Sequence, residues 1–149
     1  MNKLLILILL PLSIFSQNLG GRFSYGSSPD SGRTGSLDIY QESDSSIIFC
    51  LDLSRGAPSY NTGFKTARII KEDNQWVFQS VDFNCKLKFI ILDDRVEIIT
   101  LKGFDNCGYG FGVYSDGTYI RYETGNPEYY LQPPDYEKKS FKEYNLKND

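Results

Sequence analysis

The sequence predicts an all-β protein: a single antiparallel up-and-down barrel of eight or nine strands, with an irregular or short-helical C-terminal tail. Three observations carry this reading. Across residues 19–122, apolar side chains alternate with polar ones, the period-two signature of strands with one wet face. Turn residues interrupt that pattern every 8 to 12 residues, roughly the spacing of consecutive hairpins. And the segment Cys107-Gly108-Tyr109-Gly110-Phe111-Gly112 runs through aromatic residues into Asp116-Gly117, a dipeptide that signals a tight hairpin turn between alternating apolar residues.

The chain starts with an export signal. Lys3 supplies a positive charge, and residues 4–15 form an apolar run broken only by Pro11 and Ser13. That is shorter than the ~20 residues needed to span a bilayer, so residues 1–16 read as a secretory signal peptide cut near Ser16. No cysteine follows the run to carry a lipid anchor. The expected product is periplasmic or secreted, without a membrane span.

The strands follow in order. Residues 21–25 come first, then a loop at residues 29–32. Residues 36–40 place Leu37 and Ile39 on one face, and residues 46–53 do the same with Ile47, Phe49, Leu51 and Leu53. Residues 64–71 turn at Glu72-Asp73-Asn74 into residues 75–80, which hold Trp76 and Phe78 together. Residues 85–91 alternate most cleanly, with Cys85, Leu87, Phe89 and Ile91 against Lys86 and Lys88. Asp93-Asp94 turns the chain into residues 95–101, with Val96 and Ile98 inward. Residues 109–114 and 118–122 are read as the last hairpin, turned by Asp116-Gly117. So many strands in one small domain must hide their edges, and barrel closure does so for consecutive hairpins; a sandwich is the competing arrangement. In residues 123–149, Gly125, Pro127, Pro133 and Pro134 break strand patterning. There a short helix over residues 135–146 is expected, either loosely held or laid across one end of the barrel.

Three cysteines, Cys50, Cys85 and Cys107, lie in the exported part. An oxidising compartment favours pairing, and three leave one over. Cys85 and Cys107 each sit at a strand edge beside a turn and are expected to pair. Cys50, inside the run Ile47-Ile48-Phe49-Cys50-Leu51, reads as a buried free thiol behaving as a small hydrophobe.

Function is less explicit. The chain holds no histidine, which removes the commonest general base together with the usual triads and zinc sites. The carboxylates that remain for two-carboxylate hydrolysis (Asp52, Asp82, Asp93, Asp94, Glu97, Asp105, Asp116) fall mostly in turns or on wet faces, and local backbone hydrogen bonding explains the turn aspartates. No catalytic residue, cofactor or metal site is expected. Gly108, Gly110 and Gly112 lack the Rossmann spacing and a following helix, so with Asp116 and Gly117 they are read as structural turn residues, permitting a bulge or a close backbone approach. The net charge of −3 becomes one unit more negative once Lys3 is removed, which argues against a nucleic-acid partner; none is expected. Eleven tyrosines, ten phenylalanines and one tryptophan exceed what a core of this size needs. Tyrosine favours recognition surfaces as well as ordinary strand faces.

Five segments together resemble a group of small exported bacterial β-domains, mostly uncharacterised, some of which look like lysozyme-inhibitor-type proteins of the cell envelope. The segments are Gly21-Arg22-Phe23, Leu37-Asp38-Ile39, Cys85-Lys86-Leu87-Lys88-Phe89, Cys107-Gly108-Tyr109-Gly110 and Asp116-Gly117-Thr118-Tyr119. The resemblance covers residues 20–122. Taken with the missing histidine and the surplus of aromatics, the expectation is a non-enzymatic, monomeric binding domain with a protein or saccharide partner, lysozyme-inhibitor-like on the strength of the resemblance. The Ser-Gly-x-Arg-Tyr loop of the membrane-bound C-type lysozyme inhibitors has no counterpart here. The alternative is a small-ligand carrier with a lipocalin-like cavity, since an eight-stranded barrel either holds one small ligand or fills itself with side chains.

Overall fold

The computed structural model describes residues 18–28, 30 and 32–144. The expected signal peptide lies outside them, as do parts of the loop at residues 29–32 and the end of the expected helix. Among the described residues ten strands form: β1 Gly21–Tyr25, β2 Thr34–Ser43, β3 Ser46–Ser54, β4 Thr62–Ile70, β5 Trp76–Gln79, β6 Cys85–Ile91, β7 Arg95–Asp105, β8 Gly117–Thr124, β9 Tyr129–Gln132 and β10 Glu137–Ser140, followed by α1 at Phe141–Tyr144. The first eight make one antiparallel sheet in the order β4-β3-β2-β1-β8-β7-β6-β5. Every neighbouring pair is consecutive in sequence except β1 and β8. The meander therefore curls until its first and last strands pair, with Phe23 opposite Arg121. The remaining seam lies between β4 and β5. They are joined by a turn carrying a single Glu72–Gln75 bridge, and they share no ladder among the described residues. The result is a nearly closed up-and-down barrel.

Period-two patterning explains the interior. Phe23, Leu37, Ile39, Ile47, Phe49, Leu51, Ile69, Leu87, Phe89, Val96, Ile98 and Tyr119 are all buried together. Phe49 packs edge-on to Phe78 at 5.3 Å and against Phe89 at 4.9 Å. At the tight-turn end, Arg121 enters the barrel, donates from Nη1 to the Gly20 carbonyl at 2.7 Å and lies 4.6 Å over the Phe23 ring. Apolar side chains from all eight strands thus pack the barrel interior.

Two segments depart from expectation. Residues 109–114 are not a strand. Gly108 and Gly112 both take φ of +74°, which an extended strand does not tolerate, and the segment crosses from β7 toward β4. Asp116-Gly117 is therefore not a hairpin turn: β8 begins at Gly117 and pairs with β7, Ile98 opposite Gly117. The second departure is the tail. A hairpin, β9–β10, precedes the short helix, and both lie on the outer barrel wall rather than across its end. Ile48 and Cys50 point outward from β3 into a second cluster with Tyr130 and Phe141. Phe141 is fully buried, between the ring of Tyr40, stacked at 5.5 Å, and that of Tyr130 at 4.9 Å. Strand β3 is thus covered on both faces, the physical reason for its unbroken apolar run.

Cys85 and Cys107 form a disulfide with Cα atoms 4.6 Å apart, and Cys50 is free and buried. Replacing Cys85 and Cys107 together by alanine should lower unfolding free energy in urea titration by about 3 kcal/mol, the chain-entropy value for a loop of this length. Burial also pushes the Cys50 thiol up to about 12, so the folded protein should not react with a thiol reagent at pH 8. Phe141→Ala should cost about 3 kcal/mol and expose Cys50 to labelling; unchanged labelling would place the tail elsewhere.

Candidate functional site

Connections divide the barrel into two unlike ends. Residues 44–45, 71–75 and 92–94 make tight turns at one end. The connections from β1 to β2, β3 to β4 (residues 55–61), β5 to β6 (80–84) and β7 to β8 (106–116) lie at the other and are mostly longer. Loops on a rigid scaffold are where binding residues concentrate, and here the long loops are cross-tied.

The crossing segment is the main tie. The disulfide anchors Cys107 to the start of β6. The Gly110 amide then donates to the Thr62 carbonyl of β4 at 3.0 Å, and Asn61 Nδ2 donates to the Phe111 carbonyl at 2.8 Å. The segment therefore spans the β4–β5 seam at this end. Its glycines permit that closeness: a Cβ on Gly108 would sit 2.6 Å from the Phe83 ring, and one on Gly110 2.9 Å from the Thr62 carbonyl oxygen. Tyr109 lies over Gly63. Burial pushes its phenol up to about 12 and also raises Tyr119, whose hydroxyl donates to the Ser115 carbonyl at 2.9 Å. The Asp116 carboxylate accepts from the Thr100 amide at 2.8 Å and from its hydroxyl at 2.5 Å, which fixes the entry to β8.

Arg33 joins the first loop to the last. It donates to the Asp116 carbonyl at 2.8 Å and lies over the rings of Tyr25 at 5.6 Å and Tyr114 at 5.7 Å. Arg55 covers one face of Phe111 at 5.5 Å, and Lys65 covers Phe83 at 5.0 Å. Even so, Tyr60, Phe83, Phe111 and Tyr114 remain exposed, Phe111 by 84%. The rim is an aromatic surface on which cations lie over Phe83, Phe111 and Tyr114.

On the flank of this rim, a cleft of about 540 Å³ opens on the outer wall of β1, β2 and β3. Tyr25, Tyr60 and Tyr136 bound it, and its floor carries Ser36, Asp52 and Ser54. Tyr136 comes from the tip of the β9–β10 hairpin, so the tail supplies one wall. Burial raises the Asp52 carboxyl, against a hydrogen bond from the Leu53 backbone. Asp52 is the one carboxylate lining the cleft among the described residues, so no carboxylate pair suited to glycoside hydrolysis forms there. Nor does any group of three or more His, Cys, Asp or Glu among them assemble as metal ligands.

Sequence reasoning missed Arg33, Arg55 and Tyr136. The first two carry no local signal, because their roles arise only when distant loops meet. Tyr136 had one: Pro134-Asp135-Tyr136 repeats Pro58-Ser59-Tyr60. No protein-family model, curated protein or solved structure matches the chain.

The hairpin that delivers Tyr136 is held at its base by Arg22. That side chain donates from Nη2 to the Tyr129 carbonyl at 3.1 Å, stacks on its ring at 5.0 Å and sits 3.9 Å from both Asp38 and Glu123. Burial pushes the Asp38 carboxyl up to about 6, only partly opposed by Arg22. The folded value lies above the unfolded one, so the unfolded chain loses this proton first and stability falls as pH rises between the two. Relative to Asp38→Asn, the native protein should lose stability from about pH 4 to about pH 6 and then level off. A pH-independent difference in urea midpoints would contradict this.

Proposed function

We propose that this chain is an exported, non-enzymatic binding domain of the periplasm or extracellular space, recognising a protein or saccharide partner through the long-loop end of its barrel. The observation that carries the reading is the rim itself: four exposed aromatic residues on loops tied by a disulfide and three stacked cations. Aromatic and arginine side chains dominate the energetics of recognition surfaces, and ties made before binding reduce the ordering cost that binding must meet. A disulfide fits an oxidising compartment. No helix among the described residues is long and apolar enough to cross a membrane.

The lysozyme-inhibitor-type version of this reading rests on the family resemblance and on an acidic chain suited to a basic enzyme. It predicts inhibition of lysozyme by a modest excess of the protein, and no effect at high excess removes it. The broader reading is tested by capture from native envelope and medium with immobilised protein. A discrete partner should be retained, and the double variant Phe111→Ala/Tyr114→Ala should reduce its capture at least tenfold, as loss of about 1.4 kcal/mol or more would do. Equal capture by variant and native protein would overturn the rim as the binding surface.

A further inference from the structure

The cleft flanking the rim has a chemistry of its own. Its walls are tyrosine rings and its floor is hydroxyl-rich, with Ser36 and Ser54 beside the Asp52 carboxylate. No lysine or arginine lines it, whereas the rim carries three cations over its rings. The volume, about 540 Å³, lies within the range of small-ligand sites, on the order of 300–1,000 Å³.

Two of the walls are unusual in backbone geometry. Tyr60 has φ of +49° and Tyr136 has φ of +51°. A bulky L-residue in the left-handed region is an outlier, held only where surrounding structure imposes it, and such residues cluster at ligand clamps. These two come from segments far apart in sequence, one between β3 and β4 and one at the tip of β9–β10. Each follows a Pro-x-Tyr pattern, and both reach the same cleft with about half their surface exposed, 51% in each case. The Tyr60 hydroxyl donates to Asp30 at 2.9 Å, which fixes that ring from behind.

We infer that the cleft between Tyr60 and Tyr136 is a binding site for a neutral oligosaccharide. This rests on the binding-domain reading above and names the ligand class for one flank of it. Sugar rings offer apolar C–H faces that stack on aromatic rings, and hydroxyls at their edges that both donate and accept. Serine hydroxyls answer in both senses, and an ionised carboxylate accepts only. The absence of basic side chains from the lining selects against sulfated or phosphorylated ligands. An extended peptide fits less well, because the cleft lies on the outward face of paired strands and offers no free strand edge along which a peptide backbone would hydrogen-bond.

The test uses the exported protein with four neutral probes (cellohexaose, chitohexaose, xylohexaose and mannohexaose) and a sulfated heparin hexasaccharide. Binding is read by calorimetry and by amide chemical shifts. At least one neutral probe should saturate and shift the amides of Ser36, Ser54, Tyr60 and Tyr136. Tyr136→Ala and Tyr60→Ala should each weaken that probe at least tenfold, and Asp52→Asn several-fold. Tyr136→Phe, which keeps the ring, should stay within a few-fold of native, and Ile99→Ala on the far wall should change nothing. Thermal melting of each variant verifies folding, and the cleft amide shifts of the native protein keep the test decisive if an alanine variant unfolds. The inference is overturned if no neutral probe shifts the cleft amides, if only the sulfated probe binds, or if the alanine variants bind like native. Rim-dependent capture of a protein partner with no saccharide bound would overturn the cleft assignment and leave the binding-domain reading standing. Loss of both would overturn both.

Discussion

The structure depends on how its open seam is closed. Eight strands curl far enough for β1 to pair with β8, yet β4 and β5 meet without a ladder. An unpaired seam leaves backbone donors and acceptors unmatched and admits water to the core. At the long-loop end the chain covers it with the segment after Cys107. One side of that crossing is covalent, through Cys85 beside β5. The other is a backbone hydrogen bond to Thr62 on β4. Tyr109 then lies over Gly63, where any side chain would collide with its ring. Disulfide, glycines and aromatics are thus parts of one device that substitutes for strand pairing.

That device also shapes the surface. Because the crossing lies on top of the barrel, it carries Phe111 and Tyr114 outward and brings Asp116 within reach of Thr100 and Arg33. The tail acts similarly on the wall. It covers Ile48 and Cys50 of β3 and then projects Tyr136 past its own anchor to the edge of the cleft. The binding surfaces proposed for this protein are consequences of how two exposed parts of the sheet, a seam and a wall, are covered.

Much of this was legible in the chain. Alternation placed Leu87 and Phe89, or Val96 and Ile98, on the inner face because period two is a local property of extended backbone. The Cys85–Cys107 pairing followed from edge positions. The unbroken run at Ile47-Ile48-Phe49-Cys50-Leu51 recorded a strand covered on both sides, though not what covered it. The failures are equally physical. Residues 109–114 alternate like a strand, but Gly108 and Gly112 take left-handed geometry to cross a seam whose place only the closed topology sets. Asp116-Gly117 looks like a hairpin turn because local chemistry cannot reveal that Thr100 captures the carboxylate. The β9–β10 hairpin was hidden by prolines, which in this tail form its tip, and its stability comes from Arg22, Tyr40 and Tyr130 rather than from strand propensity. Tyr136 in the cleft is a tertiary fact, foreshadowed only by a repeated Pro-x-Tyr.

Amide hydrogen exchange in the oxidised and reduced protein tests the seam account most directly. If the crossing substitutes for strand pairing, reduction will accelerate exchange at Gly110 and at neighbouring amides of β4 and β5. The β1–β2 and β6–β7 ladders will keep their protection under native conditions, because local opening follows the units that lose their ties. Uniform acceleration across the barrel, or unchanged protection at Gly110 and β4, would contradict the claim that the disulfide-anchored crossing closes this barrel.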